Sequence, residues 1–109
     1  MSLLEYHVLL ALASAPLHGY AIKDLVAEES GGTITPRAGS LYRVLARLMT
    51  VGYVTEAEPK GAQEPHPGLK RKYYALTSSG RAALAAEARR LKQAAAMAEK
   101  RLGVARTRS

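Results

Sequence analysis

Arg43 and Arg47 stand four residues apart in a segment whose leucines, Leu41, Leu45 and Leu48, recur at helical spacing. With those leucines turned inward, Gly39, Ser40, Arg43 and Arg47 fall on the outward side of one helix. A guanidinium can take guanine N7 and O6 bidentately or grip a phosphate. A glycine and a serine at the start of a helix let its end approach a surface, where the amides and the dipole favour an anion. An ordinary solvated helix face has the same make-up, so this segment alone leaves both readings open. A second basic cluster, Lys70-Arg71-Lys72, follows a stretch holding Pro59, Gly61, Pro65, Pro67 and Gly68. It fits a hairpin that meets a polyanion, and equally a charged strand edge that discourages pairing.

Other chemistry finds little support. His7, His18 and His66 show no metal-ligand spacing, Asp24 is the only aspartate, and there is no cysteine. Neither a metal centre, a cofactor nor a hydrolytic site is expected, and the chain reads as no enzyme. The 109 residues carry a formal charge of +7, which favours a polyanionic partner. Hydrophobic residues make up 48%, enough for a packed core. The longest apolar run, Val8 to Ala13, is too short for a bilayer, and the first residues lack the basic region of a signal peptide. A cytoplasmic protein without a membrane partner is the expectation.

The elements that must position these residues follow from the pattern. Ser2 and Glu5 have the spacing of a capping box opening a first helix, expected to run to about Ser14 and to be stopped by Pro16. A second helix begins near His18-Gly19-Tyr20 and ends at Gly31-Gly32. The third is expected to start at Thr35-Pro36, a cap followed by a first-turn proline, and to stop at Gly52. Tyr53 to Ala57 and Lys70 to Leu76 read as two strands of a hairpin, and Thr77 caps a last helix of about 25 residues. The fold expected is mainly α with a small β-hairpin. Residues 1–80 form a winged helix-turn-helix, and residues 81–109 a C-terminal dimerisation helix with a frayed tail.

In the last helix Leu84, Ala88, Leu91, Ala95, Ala98 and Leu102 are spaced four, three, four, three and four, a heptad seam. A helix of about 37 Å overhangs so small a domain. The first helix, with Leu3 and Leu4 among its apolar residues, is apolar almost all round. Both patterns point to burial in a second copy of the chain. Leu84, Leu91 and Leu102 find no obvious place in a winged-helix core of this size.

The sequence resembles the PadR family of bacterial transcriptional regulators. The resemblance lies in Pro16-Leu17-His18-Gly19-Tyr20, Gly39-Ser40-Leu41-Tyr42-Arg43, Leu45 with Leu48 and Gly52, Arg71-Lys72-Tyr73-Tyr74, and Leu76-Thr77 with Gly80-Arg81. It implies a homodimer that reads DNA with the third helix and the wing, usually as a repressor relieved by a small phenolic or drug-like ligand. Tyr20, Ser40, Tyr42 and Arg43 match motif positions at the family's DNA face; Lys70, Arg71 and Lys72 match the wing by position. Ala38 departs from the pattern, standing where the family often has proline. The last helix also lacks tryptophan, which makes relatives that stack flat ligands between interface aromatics a poor guide.

The expectation is therefore a repressor that binds an inverted repeat of double-stranded DNA as a dimer. Its DNA face comprises Tyr20, Arg37, Gly39, Ser40, Tyr42, Arg43, Arg47, Lys70, Arg71 and Lys72. A small aromatic effector between subunits would relieve it. The alternatives are a nonspecific architectural nucleic-acid binder and a protein-interaction module with an incidental basic face.

Overall fold

The computed structural model describes residues 1–58 and 72–103. Their elements run α1 (Leu3–Ala11), β1 (Leu17–His18), α2 (Gly19–Glu29), α3 (Ala38–Thr50), β2 (Val54–Ala57), β3 (Tyr73–Leu76) and α4 (Ser78–Leu102). The capping box of α1 is complete. Ser2 Oγ accepts from Glu5 N at 3.1 Å, and Glu5 Oε1 accepts from Ser2 N at 2.7 Å. The helix ends at Ala11, short of the expected Ser14. Pro16 disfavours a helical residue before it, and the chain must extend there to reach β1.

The sequence pattern does not announce that strand. Two residues carry no readable period, and the partner is more than fifty positions away. Leu17 pairs with Tyr74 and His18 with Tyr73, while β2 pairs with β3 from Val54–Leu76 to Ala57–Tyr73. The sheet is therefore antiparallel and three-stranded, with β3 in the middle. The expected hairpin is two-thirds of it.

His18 also starts α2, its Nδ1 accepting from Ala21 N at 3.3 Å. α3 begins at Ala38, three residues after the expected Thr35 cap. Pro36 is buried, and Arg37 keeps an extended backbone (φ −81°, ψ 157°). The proline thus lies buried ahead of the helix and not in its first turn. Ala38 is itself the first helical residue, a position that also accepts proline, so its departure from the family pattern leaves the helix entry intact.

Val8, Leu9 and Leu12 meet Ile22 and Val26 of α2 and Leu41, Leu45 and Leu48 of α3, with Val54 and Tyr74 closing the core. Burial raises the Tyr74 phenol above its ordinary range, with Tyr42 and Glu56 adding to the effect. The fold therefore favours the protonated form. In the unfolded chain this phenol ionises near pH 10, so its contribution is complete below that pH and is lost as pH rises towards the folded value. Tyr74→Phe should flatten the alkaline limb of a stability–pH curve, measured by denaturant unfolding.

The start of α4 is tied to the α3–β2 turn. Thr77 Oγ1 donates to Gly52 O at 2.6 Å and accepts from Gly80 N at 3.0 Å, and Thr77 N donates to Tyr53 O at 3.0 Å. Leu84 packs against the domain's own core, which corrects the expectation that it had no place there. Farther along the character changes. Leu91 and Ala96 are half-buried, and every other residue from 92 to 103 is exposed, with Leu102 at 76%. The helix gives the molecule extents of 57 × 28 × 26 Å.

Candidate nucleic-acid interface

The exposed end of α3 is the natural centre of a site. Arg37 precedes its first turn and forms no side-chain cap there, because a guanidinium has no acceptor. The first amides of α3 are left to an acceptor from outside. Gly39 and Arg43 are exposed beside them and Ser40 is half-buried. A Cβ added at Gly39 would meet nothing within 4 Å, so this turn is open to close approach. Neither Arg37 nor Arg43 is in an ion pair among the described residues.

The tyrosines flank this end. Tyr42, 49% exposed, lays its ring against the backbone of Gly19, while Tyr20 is 70% exposed with the Lys23 ammonium 5.7 Å from its ring centroid. Gly19, Tyr20 and Lys23 of α2 and Ala38, Leu41 and Tyr42 of α3 line a groove of about 180 Å³. Gly19 and Lys23 escaped the sequence reading as site residues. A Cβ at position 19 would stand 3.0 Å from Tyr42 Cζ and closer still to its hydroxyl, so the glycine sets where Tyr42 lies. The signal was available in a glycine heading a helix, where entropy argues against it.

Arg47 differs from Arg43. Residues four apart are rotated by about 40° around a helix, and that rotation carries Arg47 towards α1. There Nη1 donates to Glu5 Oε2 at 3.3 Å. The helix face thus holds two unlike cations, Arg47 held by Glu5 and Arg43 in no ion pair among the described residues. Of the wing residues, Lys72 is exposed and 3.8 Å from Glu56 across the β2–β3 pair. Lys70 and Arg71 lie outside the described residues. Of the seam and first-helix residues, Leu3, Ala88, Ala95, Ala98 and Leu102 are exposed, and Leu4, Leu84 and Leu91 are half-buried. Among the described residues, no three His, Cys, Asp or Glu side chains gather to hold a metal. No described helix is long and apolar enough to cross a membrane.

Three packed helices, a small antiparallel sheet and a third helix with one face in the core and one exposed define a winged helix-turn-helix. The chain belongs to the PadR-like family of transcriptional regulators, whose family model matches residues 8–86. Among solved structures it is similar to a PadR family regulator from Clostridium difficile, with a TM-score of 0.76, 19% identity, and 93% of this chain and 99% of that one covered. It is also similar to Bacillus subtilis PadR, solved in complex with operator DNA, with a TM-score of 0.64 and 29% identity over 76% of this chain and 46% of that one. A curated relative, the "uncharacterized 37.1 kDa protein in transposon TN4556" of Streptomyces fradiae, is 44% identical over 81 residues. The match takes in 74% of this chain and 21% of that protein, so the chain spans about a fifth of the relative's length.

Proposed function

We propose that the protein binds duplex DNA sequence-specifically as a homodimer and represses transcription from an inverted-repeat operator. The carrying observation is the open first turn of α3, with uncapped amides and with Arg37 and Arg43 exposed and in no ion pair among the described residues. In helix-turn-helix proteins the N-terminal residues of this helix contact base edges in the major groove. The operator complex of the Bacillus relative supports the same use of the fold. Arg43 would read a base, Tyr20, Tyr42, Ser40 and the amides around Gly39 would position the helix, and the wing cations Lys70, Arg71 and Lys72 would hold phosphates. Two copies would join through α1 and the seam of α4. A small apolar or aromatic ligand between subunits would release DNA by binding the DNA-free form more tightly.

The test compares two variants on an operator, obtained by selecting bound genomic fragments, and on random duplex. Arg43→Ala should cost about 1–3 kcal/mol on the operator and much less on random DNA, whereas Lys72→Ala should weaken both alike. Equal losses on both duplexes for Arg43→Ala would make Arg43 a backbone contact and remove the base-reading assignment.

A further inference from the structure

Glu5 is a buried carboxylate, 9% exposed, with both oxygens in use. Oε1 closes the capping box of α1, and Oε2 holds the guanidinium of Arg47, whose side chain is 67% exposed. One residue thus joins the start of the first helix to the third turn of the recognition helix. The pair stands on the wall of an open cleft of about 440 Å³, with Val51, Ala83 and Glu87 among the other lining residues. Glu87 is engaged by Arg90 on α4, with Arg90 Nε donating to Oε1 at 3.0 Å. That contact holds the Glu87 carboxyl below the usual range. Glu5 is therefore the acid that serves Arg47, and the open cleft gives the guanidinium room to leave it.

We infer that Glu5 is a specificity-determining residue that withholds Arg47 from DNA. Arg47 lies one turn, about 6 Å, beyond Arg43 along α3. The N-terminal residues of such a helix contact base edges and its C-terminal end the phosphate backbone, and Arg47, in the third turn, is assigned to the backbone side. A phosphate contact strengthens binding to every sequence alike. By holding Arg47 against α1, Glu5 removes a cation that would raise random binding, and so widens the ratio between operator and random duplex. The inference rests on the DNA-binding reading above and moves Arg47 from the contact set to a reserve.

The test uses the full chain with Glu5→Gln, Arg47→Ala and the double variant, each checked for wild-type helicity. Glutamine keeps an oxygen for Ser2 N but carries no charge to hold Arg47. Binding to random duplex is measured as a function of salt. Glu5→Gln should tighten random binding and steepen the log–log slope by about 0.9 per phosphate gained, roughly 2 for a dimer. Arg47→Ala alone, an exposed change that spares the cap, should leave random binding within about twofold, since by this account it makes no phosphate contact. The double variant should return the slope to wild type. A loss on Arg47→Ala of the same size with and without the Glu5 carboxylate would show that Arg47 already contacts DNA and overturn the inference, leaving the DNA-binding reading intact. A wild-type chain that binds no duplex would overturn both.

Discussion

Gly80→Ala should lower stability by about 3 kcal/mol or more, a fall in Tm of about 10–20 °C for a domain of this size. The backbone conformation is helical and suits alanine, so the effect comes from space alone. An added Cβ would press into the Tyr53 carbonyl oxygen, and it would lie 2.9 Å from the carbonyl carbon. The neighbour cannot yield cheaply. Tyr53 O accepts from Thr77 N, and Tyr53 N donates to Leu48 O at 2.9 Å. Ser79 Oγ adds a 2.9 Å bond to Gly52 O. Relief would require α4 to lift from the turn that joins α3 to β2, breaking the Thr77 contacts. Gly39→Ala is the contrast: its Cβ enters open space, so thermal unfolding should be unchanged or slightly improved. A Gly80→Ala protein as stable as wild type would mean that α4 does not dock as described.

Leu91→Glu combined with Leu102→Glu should give a monomer that keeps its fold and loses operator affinity by a hundredfold or more. The helix from residue 92 onwards is exposed almost throughout. A helical segment of about a dozen residues is marginal in water without packing. Burial in the proposed partner would supply it, each leucine contributing about 1.5–3 kcal/mol. A dimer holds two recognition helices about 34 Å apart on one duplex, and a monomer loses that effective concentration. The two positions are better chosen than truncation after Gly80. Removing Leu84 would strip a residue from the domain's own core, so a truncated chain would confuse unfolding with dissociation. Sedimentation paired with operator binding is the measurement, and a monomeric double variant at full affinity would remove the dimer from the mechanism.

Much of this architecture was legible because local chemistry and tertiary packing agree. Ser2 with Glu5, and Thr77 before Gly80, are caps whose partners lie three residues away, and both form as read. The leucine spacing of α3 placed Arg43 outward correctly. What was not legible depends on distant segments. β1 exists because β3 supplies an edge for Leu17 and His18, a pairing that no local period reports. Pro36 has the form of a helix start, but it is buried before the helix, and α3 begins two residues later. Arg43 and Arg47 looked equivalent at a spacing of four. The small rotation between them became decisive only because α1 places a buried carboxylate beside the second. The spacing of Ser2 and Glu5 reveals the cap, while the use of the other Glu5 oxygen depends on how α1 packs against α3.

The proposed function requires two copies of the chain to bind duplex DNA sequence-specifically. Competition between a selected operator and random duplex, followed across salt concentrations with the mass of the complex recorded, tests it most directly. Two chains per operator and a preference of about a thousandfold or more are expected. Affinity should also fall with salt at a log–log slope of about −0.9 for each phosphate held. Equal affinity for operator and random duplex at every salt concentration, or a slope near zero, would contradict the proposed function.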